Sequence, residues 1–133
     1  MKKTLHKSDY LILLADDNES FSQTIIHFIK SRFKNSKVLY TNNGKEAVDL
    51  AFSQMPDIII LDINMPVLSG FQVVSMVKKE YPFIPIIIIT NYNENEYRLE
   101  AKRVMADAFI LKKNLSTELP QVMSTLLSAQ IVK

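Results

Sequence analysis

Four short apolar runs, each ending at a polar side chain, constrain the fold of this 133-residue chain most strongly. Runs this apolar are typical of strands that are buried on both faces, as the strands of parallel sheets are. The runs and the polar residues that follow them are Leu11–Ala15 before Asp16 and Asp17, Ile58–Leu61 before Asp62, Ile86–Ile89 before Thr90, and Phe109–Leu111 before Lys112. Because parallel strands end at one edge of their sheet, we expect these polar side chains to meet there.

Amphipathic segments separate the runs, so strand and helix alternate along the chain. A further strand is expected at Lys37–Thr41, and a helix follows each strand. The apolar helix faces are Phe21, Ile25, Phe28 and Ile29; Ala47, Leu50 and Ala51; Phe71, Val74 and Val77; and Leu119, Val122, Met123, Leu126 and Leu127. Five such alternations predict a three-layer α/β sandwich.

Three helix boundaries are predicted from capping and breaking residues. Asn43 resembles a helix cap, with Glu46 three residues later. A helix from about Glu94 to Met105 places its apolar residues on one face, namely Tyr97, Ala101, Val104 and Met105. The last helix is expected to be capped by Thr117, which leaves Pro120 in the first turn, where its missing N–H does no harm.

Composition excludes several classes of protein. The hydrophobic fraction of 47% and the charged fraction of 23% are ordinary for one globular domain, which we place at residues 10–133 after a polar tail at 1–9. A net charge of +2 gives no argument for nucleic acid or membrane binding, and the absence of cysteine excludes disulfides and thiolate metal sites. No apolar run approaches the ~20 residues of a membrane span, so a cytoplasmic protein is expected.

The residues at the expected sheet edge suit chemistry on a phosphoryl group. Three carboxylates at one place repel one another and need a cation, and an all-oxygen ligand set suits Mg²⁺. A carboxylate such as Asp62 can form an acyl phosphate, while Lys112 supplies positive charge and Thr90 a hydroxyl. Each residue alone also has an ordinary explanation as a helix cap, a strand end or a solvated charge. The interpretation depends on all of them ending successive strands.

The chain resembles the receiver domains of two-component response regulators over about residues 10–130. The motifs that carry the resemblance are Asp16-Asp17, the stretch Asp62-Ile63-Asn64-Met65-Pro66-Val67-Leu68-Ser69-Gly70, Thr90, and Phe109-Ile110-Leu111-Lys112. The resemblance implies a flavodoxin-like sandwich whose five-stranded parallel sheet has the order 2-1-3-4-5, with five helices. It also implies a phosphoacceptor in signal transduction rather than an enzyme.

The resemblance implies a role for each acidic residue. Asp62 would accept a phosphoryl group from a phosphohistidine of a sensor histidine kinase or phosphotransfer protein. Asp17 would bind Mg²⁺ directly, Asp16 would bind it mainly through water, and Asn64 would contribute its backbone carbonyl.

The resemblance also implies how the phosphoryl group would switch the protein. Lys112 would pair with the phosphoryl oxygens, Thr90 would move to bond them, and Phe109 would change rotamer with it. Asn64 and Tyr92 would tune dephosphorylation. The output surface would comprise the fourth helix, fifth strand and fifth helix.

The implied biological setting is either a stand-alone receiver or the receiver part of a transcription regulator. Dimerisation on phosphorylation is possible for such a protein, and no nucleic-acid contact is expected within this chain, because it has no basic stripe.

Two positions depart from the pattern of the family. Lys113 stands where a proline joined by a cis bond is usual, so the Lys112–Lys113 bond is either trans or a costly non-proline cis bond. Members joined to helix-turn-helix output domains often lack that proline. Met105 stands where a helix-ending glycine is common, and a left-handed conformation there would cost about 1 kcal/mol.

Three other functions remain open from the sequence. An aspartyl-phosphate phosphatase of the haloacid-dehalogenase pattern needs Asp-x-Asp-x-Thr, but the matching positions are Asp62, Asn64 and Pro66. A flavodoxin-type electron carrier needs a phosphate loop rich in Ser, Thr or Gly after the first strand. A receiver-like module that binds partners without phosphorylation would keep the same residues.

Overall fold

Five parallel strands form one sheet in the computed structural model, which describes residues 9–132 and the side chains of residues 9–128. The strands are β1 (Leu11–Ala15), β2 (Lys37–Thr41), β3 (Ile58–Asp62), β4 (Ile86–Thr90) and β5 (Ala108–Leu111). Their order is β2-β1-β3-β4-β5, and each neighbouring pair is parallel. The predicted fold and strand order are therefore confirmed. The predicted tail at 1–9 lies outside the described residues apart from position 9.

Helices cover both faces of the sheet. They are α1 (Glu19–Arg32), α2 (Gly44–Gln54), α3 (Gly70–Glu80), α4 (Asn95–Arg103) and α5 (Leu115–Val132), and a short 3₁₀ turn at Lys112–Asn114 precedes α5. Buried residues of α1 and α5 pack on one face, and those of α2, α3 and α4 pack on the other. The result is the three-layer arrangement.

The sheet is apolar on both faces because alternate residues of each strand point into the two hydrophobic cores, one on each side of the sheet. Leu13, Ile59 and Ile88 face the α2–α4 layer, whereas Ile12 and Ile60 face the α1–α5 layer. All five side chains are fully buried. This two-sided burial explains why the runs show no polar alternation.

Side-chain caps set the start of three helices. Asn18 accepts a hydrogen bond from the backbone N–H of Phe21, and Ser69 forms a complete capping box at α3. Asn43 caps α2, as predicted, by accepting from the backbone N–H of Glu46 at 2.8 Å. The Glu46 carboxylate does not return to the Asn43 N–H, because it bonds the Thr41 hydroxyl instead.

The prediction for α4 was wrong at its end. The helix stops at Arg103, and Met105 has a φ of 74°, in the left-handed region. Its side chain is 67% exposed, so it does not lie on the buried face with Ala101 and Val104. A residue in the left-handed conformation turns the chain away from the helix axis, which carries its side chain off the helix face.

The prediction for the start of α5 was also wrong. The chain leaves β5 through the 3₁₀ turn and enters α5 at Leu115, so Thr117 lies inside the helix, where its hydroxyl bonds the Asn114 carbonyl at 3.0 Å. Pro120 is consequently in the helix interior. The buried Leu115 anchors the earlier start. The expected apolar face is confirmed, since Leu119, Met123 and Leu127 are buried and Val122 and Leu126 are half-buried.

Two backbone features shape the loops that follow the strands. The carbonyl of Pro66 accepts a hydrogen bond from the N–H of Leu68 at 2.9 Å, and Val67 between them has a φ of 72°. No cis peptide bond occurs between residues 9 and 132, so the Lys112–Lys113 bond is trans.

None of the helices between residues 9 and 132 is long and apolar enough to cross a membrane.

Candidate functional site

Three carboxylates meet where β1 and β3 end. Because β1 and β3 are neighbours in the sheet, Asp16 and Asp17 after β1 lie beside Asp62 at the end of β3. One carboxylate oxygen from each residue lies within 4.8 Å of the other two. Asp16 and Asp62 are buried and Asp17 is exposed, so the cluster opens to solvent on one side.

Lys112 places its ammonium inside the acidic cluster. Its Nζ lies 2.9 Å from Asp16 Oδ2 and 3.3 Å from Asp62 Oδ2. The same Nζ lies 4.5 Å from the centre of the Phe21 ring, which is a cation–π distance. The lysine begins the turn after β5, two strands away from β3, and its long side chain spans that gap.

The electrostatics of the cluster leave Asp62 poorly compensated. Burial raises the pKa of Asp62 to about 6; the Lys112 charge opposes this, while the nearby Asp16 charge adds to it. A hydrogen bond from the Asn64 backbone N–H is a smaller lowering influence. Burial alone would lower the pKa of Lys112, but the contact with Asp16 and the charges of both acids outweigh burial and raise it.

The surroundings of Asp16 fit a divalent cation. Its Oδ1 accepts from the Asn18 N–H at 2.8 Å, and the Tyr40 hydroxyl donates to its backbone carbonyl at 2.8 Å. Its buried Oδ2 lies 2.9 Å from the Lys112 ammonium and meets no other donor among the described residues. An oriented carboxylate with a free lone pair, next to two further carboxylates, is the all-oxygen donor set that Mg²⁺ prefers.

Thr90 lies at the end of β4 but does not contact the acids directly. It is fully buried, and its Oγ1 accepts a hydrogen bond from the Tyr92 N–H at 3.0 Å. Thr90 and Lys112 line the same cavity of about 110 Å³, together with Asn91, Asn93 and Leu111 among others. A group held in that cavity would be within reach of both side chains.

The remaining predicted residues lie around this centre. The Asn64 side-chain amide donates to the Tyr92 hydroxyl at 2.9 Å, so these two residues are in direct contact. Phe109 on β5 is half-buried, and the guanidinium of Arg98 lies 4.6 Å from its ring centre.

Several contacting residues were not singled out by the sequence. Phe21 was treated only as part of the apolar face of α1, and Tyr40, Tyr97 and Arg98 were given no role at the site. The amphipathic pattern places Phe21 and Tyr97 on inward faces, but it does not show which neighbour each ring meets. Asn64 and Tyr92 were identified by the family resemblance, which gives no role to these four residues.

Comparison with known proteins now identifies the family. The sequence matches the family model of the response regulator receiver domain over residues 12–124. This chain belongs to that family. Receiver domains take phosphoryl groups from histidine kinases and bind Mg²⁺ at an acidic pocket.

The relatives of this receiver domain include regulators of transcription. The transcriptional regulatory protein YdfI of Bacillus subtilis is 30% identical over 121 residues, which cover 91% of this chain and 56% of YdfI. The response regulator protein VraR of Staphylococcus saprophyticus is 26% identical over 110 residues, covering 83% of this chain and 53% of VraR. The chain thus spans about half the length of the curated relatives it matches.

Solved structures show the same receiver fold. A LuxR-family DNA-binding response regulator from Staphylococcus aureus is 28% identical with a TM-score of 0.83, covering 89% of this chain and 98% of that one. A CheY-like receiver domain protein from Methanospirillum hungatei is 21% identical with a TM-score of 0.83, covering 91% and 95%. The second likeness concerns the fold alone.

Proposed function

We propose that Asp62 is the phosphoacceptor of this receiver domain. The observation that carries the proposal is the cluster in which Asp16, Asp17 and Asp62 lie within 4.8 Å and Lys112 contacts both buried acids. Asp62 ends a central strand and contacts Lys112, and its side chain is 8% exposed, whereas that of Asp16 is fully buried. It is therefore the acid that an incoming phosphorus atom can approach with a cation already beside it.

The transfer step follows from these positions. An Asp62 carboxylate oxygen forms a bond to phosphorus while the phosphorus–nitrogen bond of a phosphohistidine breaks, and the released imidazole takes its proton from solvent. Lys112 then pairs with a phosphoryl oxygen. The Thr90 hydroxyl accepts a hydrogen bond from the Tyr92 N–H and donates to no described partner, so it is able to donate a hydrogen bond to another phosphoryl oxygen. Most of the barrier is overcome by positioning and charge stabilisation.

The resident metal in this proposal is Mg²⁺, held by Asp16, Asp17, Asp62 and the backbone carbonyl of Asn64. The free lone pair on the buried Asp16 Oδ2 supports this assignment. Bound there, Mg²⁺ would offset the three carboxylates and the charge of the phosphoryl group.

The switch in this proposal comprises Thr90 and Phe109. A phosphoryl group adds nearly two negative charges and three acceptors, so Thr90 gains a partner that it lacks here. Movement of Thr90 would open space for the Phe109 ring. That ring contacts the guanidinium of Arg98, which links it to α4. The output face would then be α4, β5 and α5.

At the level of the whole protein, we propose a role in transcription regulation, either as the receiver part of a regulator or as a separate receiver. The named relatives YdfI and VraR support it. The same proposal includes a sensor histidine kinase or phosphotransfer protein as the phosphoryl donor, and dimerisation on phosphorylation. It also includes a cytoplasmic location and no nucleic-acid contact by this chain. Asn64 and Pro66 stand where a phosphatase of the dehalogenase pattern has its general acid and a threonine, and the missing general acid supports a phosphoacceptor over an enzyme.

Intact-mass measurement tests the phosphoacceptor directly. The protein is incubated with acetyl phosphate and Mg²⁺, and one phosphoryl mass gain is expected. Asp62→Asn should abolish the gain, whereas Asp49→Asn, an exposed acid on α2 paired with Lys45, should retain it. A wild-type protein that gains no mass, or an Asp62→Asn protein that still does, would contradict the proposal.

A further inference from the structure

An aromatic row runs from the loop after β4 to the layer of α3 and α4. The Tyr92 and Tyr97 ring centres are 5.1 Å apart with an interplanar angle of 20°, and those of Tyr97 and Phe71 are 6.5 Å apart at 16°. Tyr97 is half-buried, and Tyr92 is 39% exposed. Tyr97 thus supports an otherwise accessible side chain from one face.

Tyr92 also forms one hydrogen bond with each of the two loops of the phosphorylation site. Its hydroxyl accepts from the Asn64 amide at 2.9 Å, and its backbone N–H donates to Thr90 Oγ1 at 3.0 Å. Asn64 follows β3 and Tyr92 follows β4, and these strands are neighbours, with Asp62 beside Ile89. The Tyr92 side chain therefore reaches from the loop after β4 to the loop after β3, where it meets the residue two positions beyond Asp62.

We propose that Tyr97 is a positioning residue that sets how long a phosphoryl group stays on Asp62. By stacking on Tyr92 it keeps that side chain across the strand ends, where the side chain excludes water from the acyl phosphate. This inference rests on the proposed function, and it extends that function to a residue on α4 that touches neither phosphate nor metal.

The stack is the contact that determines where Tyr92 lies. The bond between Asn64 and Tyr92 joins two exposed side chains, so water competes for both partners and the bond adds little orientation. A stacked ring pair, in contrast, changes a two-state population by roughly two- to tenfold. Without Tyr97, the Tyr92 side chain would sample outward rotamers.

The step that this positioning slows is hydrolysis of the acyl phosphate. A water oxygen forms a bond to phosphorus, the bond from phosphorus to the Asp62 oxygen breaks, and inorganic phosphate leaves with the proton going to solvent. The water needs a clear path to phosphorus on the side opposite the Asp62 oxygen. A side chain fixed over the strand ends lowers the frequency of that approach.

Decay of the phosphorylated protein tests the inference. Wild type and variants are phosphorylated with acetyl phosphate and Mg²⁺, the donor is removed, and loss of the phosphoryl mass is followed with time. Tyr97→Ala should raise the first-order rate constant by roughly two- to tenfold, and Tyr97→Phe, which keeps the ring, should restore the wild-type rate. In a Tyr92→Ala background, Tyr97→Ala should cause no further change.

Controls separate this role from a structural one. Phe83→Ala removes an exposed aromatic residue before β4, at the opposite edge of the sheet, and should leave the decay rate unchanged. The inference is overturned if Tyr97→Ala decays at the wild-type rate, or if its effect persists in full without Tyr92. If the wild-type protein takes no phosphoryl group at all, the proposed function itself fails.

Discussion

Lys112 Nζ lies 3.3 Å from Asp62 Oδ2, which joins the end of β5 to the end of β3 across the intervening strand. The same ammonium lies 2.9 Å from Asp16 Oδ2, so one cation serves two buried carboxylates. Burial raises the pKa of Asp62 despite its lysine contact, and the charge of the neighbouring Asp16 adds to the effect. Removal of the cation and removal of one acid should therefore have opposite effects on stability.

Replacing Lys112 by methionine should destabilise the protein. The change leaves two buried carboxylates without their cation, and we expect the free energy of unfolding to fall by roughly 3–5 kcal/mol at neutral pH in a chelating buffer. Mg²⁺ should restore part of the loss, since it supplies positive charge at the same place. Urea unfolding with chelator and with Mg²⁺ measures both effects. Lys113 is exposed, so Lys113→Met is the control. Equal losses of unfolding free energy in the two variants would contradict the assignment of Lys112 as the cation of the buried acids.

Replacing Asp62 by asparagine should stabilise the metal-free protein at neutral pH. The folded pKa of about 6 lies above the ordinary value of 3.8, so between these values the folded state holds a proton that the unfolded state has released. The contribution of Asp62 to stability is therefore greatest below about pH 4 and is lost as the pH rises through about 6. Above that range the ionised side chain costs roughly 1–3 kcal/mol, which Asp62→Asn should recover.

Urea unfolding in chelator at several pH values between about 4 and 8 measures this dependence. The asparagine variant should show a flatter profile than wild type across the range. Asp49→Asn on the exposed face of α2 should follow the wild-type profile. A wild-type protein whose stability increases from about pH 4 to about pH 6 more than that of Asp62→Asn would show that the sign is wrong.

The strands and the acidic centre could be predicted because both depend on the topology of the sheet. A buried strand needs an unbroken apolar run, so the four runs predicted β1, β3, β4 and β5, and β3 and β4 each extend only one residue further, to Asp62 and Thr90. The partly exposed β2 at Lys37–Thr41 was predicted separately. Once the strands are parallel, the residues that follow β1, β3 and β5 meet without any knowledge of side-chain packing. The individual roles came from the family resemblance rather than from this geometry.

The helix ends and ring contacts could not be predicted for a different reason. The sequence predicts a start of α5 after a cap at Thr117, but the helix follows a single 3₁₀ turn and begins at Leu115, and local sequence does not distinguish these starts. The contacts of Lys112 with Phe21 and of Tyr92 with Tyr97 depend on the rotamers of residues far apart in sequence. An amphipathic pattern indicates that a ring lies inward but does not show which partner it meets.

Replacing Gly70 by alanine should disturb both stability and phosphorylation. A Cβ at position 70 would lie 2.9 Å from Ile63 Cα and against the Asp62 carbonyl, because the first turn of α3 packs against the end of β3. We expect a loss of roughly 1–3 kcal/mol in the free energy of unfolding, since the neighbouring atoms are backbone and cannot rotate away. Displacement of Asp62 should also slow mass gain from acetyl phosphate, measured at a temperature where the variant is folded.

Gly44→Ala is the matched variant for that experiment. Its Cβ would lie 2.7 Å from Leu68 Cβ, so it is also overpacked, but its three nearest atoms all belong to Leu68 rather than to Asp62 or Ile63. It should lose stability while phosphorylating at a rate nearer to wild type. Equal slowing in both variants would mean that general loss of stability, rather than displacement of Asp62, limits the reaction.

Replacing Met105 by glycine should stabilise the protein. Met105 has a φ of 74° and a mostly exposed side chain, so glycine relieves the backbone strain while little buried apolar contact is lost. We expect the free energy of unfolding to rise by roughly 0.5–1 kcal/mol in urea. The same substitution at Met76, inside α3 and 43% exposed, should lower it by about 1 kcal/mol. A loss of stability in both variants would indicate that the Met105 side chain makes a contact worth more than the strain, because the cost of glycine in the unfolded chain is the same at both positions.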